Sequence, residues 1–265
     1  MLGLFLWTER KRKMKFNEFG KENKTTLLLM HGMCSTWEMS FKPLIELAQN
    51  EFHIIAVAAD GYDPENKEIH ATTSANEAKQ VADYLAENFD GKIDILYGAS
   101  MGGVYTLELM TDKRLSFDTI IVDGLSVTKM PKIFKGKLRK TTANIESGII
   151  YNLMTKHQNL IVKALGLSGT EELQKMMYTD TSKTTLFNTV YDTLAYNFDY
   201  TRFKDKNVHI WSGSEEKACI KTVNEIKKAC PSVKVRLFED CGHGSLLTQP
   251  ERLLDAIKKT HSYVD

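Results

Sequence analysis

From Thr26 onward, short apolar runs alternate along the chain with longer stretches that place apolar residues every three or four positions. Thr26–Met30 (TLLLM) is apolar almost without interruption, as a strand covered on both faces requires. Trp37–Gln49 has helical spacing, with Trp37, Phe41, Leu44, Ile45 and Leu47 available to face a sheet. Phe52–Ala58 (FHIIAVA) predicts the next strand, and the following Ala-Asp-Gly-Tyr-Asp-Pro run predicts a turn. Ser74–Phe89 predicts a helix capped by Ser74, with Glu77 three residues on and Ala78, Val81, Ala82 and Leu85 along one side. Ile93–Tyr97, Phe117–Val122, Val208–Trp211 and Val233–Phe238 predict further strands. Met101–Met110 and Leu247–His261 predict helices, the latter accommodating Pro250 in its first turn.

This alternation is the pattern of a parallel sheet covered by helices, an α/β fold. It stops between Leu125 and about Asp199, where helical candidates follow one another around 143–156, 160–165, 171–178 and 185–196. A helical stretch of that length between two sheet strands predicts a lid over one end of the sheet. The division expected is therefore a core of residues 1–124 and 200–265, with a helical cap at 125–199.

Composition narrows the partners. Lys and Arg number 35 against 34 Asp and Glu, so the net charge of +1 offers no general attraction to nucleic acid or to an anionic membrane. The four cysteines (Cys34, Cys219, Cys230, Cys241) lack CxxC or zinc-type spacing and read as reduced thiols. Met1–Trp7 is apolar with basic residues after it, the reverse of a secretory signal. Its seven residues are also far short of the roughly 20 that span a bilayer. It reads as an edge strand or docked tail, and a cytoplasmic protein without stable membrane insertion is expected.

Three motifs carry chemistry. Gly98-Ala99-Ser100-Met101-Gly102 fits G-x-S-x-G between an apolar strand and a helix-forming segment. A serine on so tight a turn needs glycines on both sides, and the turn lifts its hydroxyl clear of the sheet. The Met101 N–H at the start of the following helix can then stabilise an oxyanion. Leu29-Met30-His31-Gly32-Met33 ends another strand, so the N–H of Met33 is a second candidate donor, with His31 fixing the loop. Cys241-Gly242-His243-Gly244-Ser245 places a histidine on a glycine-flanked loop beyond a strand, where it can reach Ser100 as its base. His53, His209 and His261 sit within strand or helix patterns and read as packing or surface residues; His70 and His157 have no supporting context.

A base needs an orienting carboxylate. Gly213-Ser214-Glu215-Glu216 follows a strand and offers Glu216, with Glu215 beside it; Asp123, at the end of another strand, is the rival.

The order strand–HG, strand–GxSxG–helix, helical insertion, strand–G-x-x-acid, strand–GHG–helix resembles the α/β-hydrolase superfamily, in its lid-bearing branch. The resemblance covers about residues 14 to 262. It implies an eight-stranded, mostly parallel sheet flanked by helices, with a helical cap inserted after strand six. It also implies acyl transfer through a Ser100 acyl-enzyme, with His243 as general base, Glu216 holding the imidazole, and Met33 and Met101 as oxyanion donors. The Asp-x-Arg-Gly-x-Gly turn carried by many members is replaced here by Ala59-Asp60-Gly61-Tyr62, which blurs the subfamily. No cofactor is expected, because the glycines form neither a Walker loop nor a dinucleotide fingerprint. The expected substrate is a small, mostly apolar ester or related acyl compound. On the same fold stand a C–C bond hydrolase, lyase or cofactor-free peroxidase-like enzyme, and a non-catalytic ligand receptor. The basic stretch Lys129, Lys132, Lys135, Lys137, Arg139 and Lys140 reads as a solvated face.

Overall fold

The computed structural model describes residues 14–127, 134–157, 160, 174–194 and 196–262. The sheet runs through β1 (Lys15–Phe19), β2 (Thr26–Met30), β3 (His53–Ala58), β4 (Lys92–Ala99), β5 (Ser116–Asp123), β6 (Val208–Gly213) and β7 (Lys234–Phe238). Their spatial order is β1-β3-β2-β4-β5-β6-β7. Strand β1 is antiparallel to β3, and every other pairing is parallel. The helices are α1 (Trp37–Ala48), α2 (Ser74–Asn88), α3 (Met101–Leu109), α4 (Gly136–Lys156), α5 (Lys183–Thr193), α6 (Lys217–Ala229) and α7 (Pro250–Ser262).

Strand alternation explains the two-faced core. On β2, Leu27 and Leu29 point to one side, where α1 (Phe41, Leu44, Ile45) and α7 (Leu253, Ala256, Ile257) cover them. Leu28 and Met30 point to the other side, packed with residues of α2, α3 and α6. Each such leucine, fully withdrawn from water, contributes about 1.5–3 kcal/mol.

Several expectations are corrected. Seven strands are described where eight were expected, and the helical insertion follows the fifth of them, not the sixth. Among the described strands β1 (Lys15–Phe19) forms one edge of the sheet, and its polar-apolar mixture KFNEF suits a strand paired on one side. Met1–Trp7 lies outside the described residues. Thr73, rather than Ser74, caps α2: its hydroxyl accepts from the Asn76 N–H, while Glu77 turns back to accept from the N–H and hydroxyl of Thr72. Leu47 lies on the outer side of α1, 40% exposed.

Within the insertion, α4 covers the candidate at 143–156 and α5 covers that at 185–196 as far as Thr193; residues 161–165 and 171–173 lie outside the described residues. Lys129 and Lys132 also lie outside them. Lys135, Lys137 and Lys140 are at the surface, but Arg139 is not a solvated charge. Its guanidinium donates to the Tyr191 carbonyl and lies 3.8 Å from the centre of that ring, fastening α4 to α5. Among the described residues no helix is long and apolar enough to cross a membrane.

Candidate active site

The turn from β4 into α3 sets the geometry. Ser100 takes φ 54° and ψ −114°, a conformation that costs a side-chain-bearing residue on the order of 1–3 kcal/mol. Surrounding bonds hold it there: its N–H donates to the Asp123 carbonyl at 2.8 Å, and its carbonyl accepts from the Gly103 N–H at 2.9 Å. The flanking glycines are sterically required. A Cβ on Gly98 would lie 2.2 Å from Thr106 Oγ1, and one on Gly102 would lie 2.2 Å from the Met30 carbonyl oxygen. The turn can therefore be this tight only with glycine at both places.

His243 sits on the loop after β7, ahead of the left-handed Gly244. Its Nε2 is 2.9 Å from Ser100 Oγ, and its Nδ1 is 2.6 Å from Glu216 Oε1. With Glu216 ionised, Nδ1–H donates to the carboxylate and Nε2 is free to accept from the serine hydroxyl. The second carboxylate oxygen, Oε2, accepts from the Gly213 N–H at 2.5 Å and the Ser212 hydroxyl at 3.1 Å. Cys219, one turn into α6, donates its thiol to Oε1 at 3.3 Å.

These contacts set the charges. Burial works to raise the Glu216 pKa, but the hydrogen bond and charge of His243, with the Gly213 N–H and the Cys219 thiol, hold it below the ordinary carboxylate value. Burial likewise works to lower that of His243. The Glu216 hydrogen bond and charge, with the charge of Asp123, leave it raised above 6.5.

Asp123 stands aside. Its carboxylate accepts from the Tyr97 hydroxyl at 2.6 Å, whereas His243 bonds to Ser100 and Glu216. Burial pushes the Asp123 pKa up to about 6, against the Tyr97 hydrogen bond and with help from the Glu216 charge. Glu215 is exposed at the cavity rim. The next residue after Asp123 matters sterically: Gly124, at φ +63°, lies where a Cβ would be 3.2 Å from both Nδ1 and Cε1 of His243.

Ser100, His243, Glu216, Met33 and Met101 line one cavity of about 560 Å3. Met101 opens α3, where first-turn N–H groups lack helical partners. His31 is buried, its Nδ1–H donating to the Gly32 carbonyl at 2.8 Å and its Nε2 accepting from the Ala59 N–H at 3.3 Å. Burial lowers its pKa to about 4, so it is a neutral tether for the loop that carries Met33.

A sequence profile of the alpha/beta hydrolase family matches residues 27–256. The chain belongs to this family. Comparison with curated protein sequences found no significant match. Solved structures share the fold. An alpha/beta hydrolase family protein from Desulfitobacterium hafniense is 18% identical with a TM-score of 0.77, covering 92% of this chain and 99% of its own. A structure from work on carboxylesterases of Nitrososphaera gargenis is 15% identical with a TM-score of 0.71, covering 95% and 94%. A thermophilic esterase from Thermogutta terrifontis is 18% identical with a TM-score of 0.71, covering 95% and 93%.

Within this alpha/beta hydrolase, several cavity residues escape a reading of the sequence. Ser126, after β5, and Thr189 and Thr193, on α5, add hydroxyls to the cavity wall. Nothing in their local pattern marks them, because the insertion brings them there through space. Cys219 is different: it follows Glu216 by three residues at the start of a helix, a spacing that puts the two side chains on one face. Together Glu216, Cys219 and His243 offer one ligand atom each within 4.8 Å of one another, a set able to take a metal ion.

Proposed function

We propose that this alpha/beta hydrolase is a serine hydrolase that cleaves a small, mostly apolar ester or related acyl substrate through a Ser100 acyl-enzyme. The observation that carries the reading is the continuous hydrogen-bonded line from Ser100 Oγ through His243 to Glu216. In that line His243 Nε2 takes the serine proton as Oγ attacks the acyl carbon, and the imidazolium formed is stabilised by Glu216. His243 then gives the proton to the leaving oxygen. In the second half-reaction it activates water, which releases the acid and restores the serine. The N–H groups of Met33 and Met101 receive the tetrahedral oxyanion, each worth about 3–4 kcal/mol in sites of this kind.

The cavity supports the substrate class. Met33, Met101, Val104 and Ala218 give it an apolar wall. Thr189 and Thr193 bring α5 to the same cavity, which supports residues 125–199 as a cap over a core of 1–124 and 200–265. The net charge of +1 supports a small molecule rather than nucleic acid as partner. A cytoplasmic location fits the cysteines, all four of which are unpaired thiols.

The test is hydrolysis of a graded p-nitrophenyl ester series, with fluorophosphonate labelling, by wild type and Ser100→Ala. Turnover and labelling in wild type that both vanish in Ser100→Ala are expected, and the preferred acyl length measures the cavity. Wild-type protein that neither hydrolyses any ester nor takes the label would sink the reading. The C–C hydrolase, lyase and receptor alternatives would then stand ahead of it.

A further inference from the structure

The catalytic dyad of His243 and Glu216 has a third neighbour that acyl transfer does not use. Cys219 Sγ lies 3.9 Å from His243 Nδ1 and 3.3 Å from Glu216 Oε1, while Nδ1 and Oε1 are 2.6 Å apart. A tetrahedral zinc ion with bonds of about 2.3 Å to sulfur and about 2.0–2.1 Å to nitrogen and oxygen sets edges of about 3.5 Å to sulfur and about 3.3 Å between nitrogen and oxygen. The observed triangle meets that requirement if His243 and Glu216 part by about 0.7 Å and the sulfur shifts by less. The set is one thiolate, one imidazole and one carboxylate. It suits a zinc-class divalent ion and is poorly matched to magnesium or calcium, which prefer oxygen ligands alone. All three residues line the cavity, so an ion reaches them by the route a substrate would take and finds solvent for its fourth position.

We propose that Glu216, Cys219 and His243 form a binding site for Zn2+ or a similar soft divalent cation, and that its occupation switches the hydrolase off. The ion enters between Nδ1 and Oε1, where a proton now sits. The Cys219 thiol gives its proton to solvent and binds as thiolate; the imidazole stays neutral, its one proton passing from Nδ1 to Nε2. Two anionic ligands then balance the charge of the ion. The consequence is a reversal of tautomer: Nε2, which faces Ser100 as an acceptor, becomes a donor and can no longer take the serine proton. Inhibition therefore needs no blocked pocket. The inhibitory half rests on the acyl-hydrolase reading, whereas the ion site does not.

The experiment separates the two. Cd2+ is titrated into reduced protein and the ultraviolet sulfur-to-cadmium charge-transfer band is followed. In parallel, the rate of fluorophosphonate labelling is measured with and without Zn2+. The band is expected in wild type, in Ser100→Ala, which removes no ligand, and in Cys34→Ser and Cys241→Ser, which remove neighbouring thiols. It is expected to vanish in Cys219→Ser, with circular dichroism verifying the fold, and the Cd2+ needed for it to rise at least about tenfold in Glu216→Gln. Zn2+ should slow labelling of wild type. The concentration for half-inhibition, taken against each variant's own metal-free rate, should rise at least about tenfold in Cys219→Ser. Absence of the band, or a band that survives Cys219→Ser, overturns the ion site. A band that depends on Cys219 upholds it even if the protein hydrolyses no ester. Such a band with an unchanged labelling rate overturns the switch.

Discussion

The C-terminal ends of β5 and β6 lie side by side, and each brings a carboxylate whose charge is felt by His243. Asp123 is 8% exposed and Glu216 is 7% exposed, so burial treats the two alike. Their charges nevertheless diverge. Asp123 receives one donor, the Tyr97 hydroxyl, and its pKa climbs to about 6. Glu216 receives the His243 ring N–H, a backbone N–H, a hydroxyl and a thiol, and stays below the usual carboxylate range. The donors around each carboxylate, together with the charge of His243 beside Glu216, set which of the two pKa values stays low. The two ends also divide the work: β5 lends a backbone carbonyl to the strained serine turn, and β6 lends a side chain to the histidine.

The sharpest way to break this contrast is Glu216→Gln, which keeps the shape and removes the charge. On the acyl-hydrolase reading kcat/KM should fall by roughly three to four orders of magnitude, because the imidazole loses both its orientation and its counter-charge. A loss of less than tenfold would move the orienting role elsewhere. Next comes Gly124→Ala, at the junction of the two ends. Its methyl would press on the His243 ring and take a backbone angle of +63° that alanine resists. A displaced base costs roughly 100-fold in kcat. Unchanged kinetics would mean that the ring has room to yield.

The smallest effect on rate is expected from Asp123→Asn. That change removes a negative charge which helps to raise the His243 pKa, so the acid limb of the kcat/KM profile should move to lower pH while the plateau stays near wild type. Stability responds with its own sign. Asp123 has a folded pKa of about 6, above the ordinary 3.8, so the fold favours its protonated form. That contribution is complete below the ordinary value and lost as pH rises through about 6. The melting temperature of Asp123→Asn should therefore gain on wild type as pH passes upward through this window. A constant difference across the window would contradict the raised pKa.

Much of this arrangement is legible in the chain, for a physical reason. A serine on a steric knife-edge needs Gly98 and Gly102, and two-sided burial needs runs such as TLLLM, so both leave local marks. The α/β class, the order of the elements and the meeting of Ser100 with His243 follow from those marks. What the chain conceals depends on distance through space. Glu216 and Asp123 both follow a strand, and only the position of the His243 ring separates them. Strand β1 leaves no such mark, because an edge strand with polar neighbours lacks the unbroken apolar run of a central one. Cys219 is silent for another reason: a lone cysteine means little until the i, i+3 spacing from Glu216 is read on a helix.

The hydrogen bond between Ser100 and His243 joins residues 143 positions apart. In folding terms this contact is among the most non-local that the chain makes, and loop closure must be complete on both sides of the helical insertion before it forms. Helices and the β2–β3 pairing, where Thr26 meets His53, close far shorter loops. On the acyl-hydrolase reading, a refolding chain therefore regains its helical signal ahead of its ability to take a fluorophosphonate label, and a chain cut anywhere between α3 and His243 lacks the base that would activate Ser100.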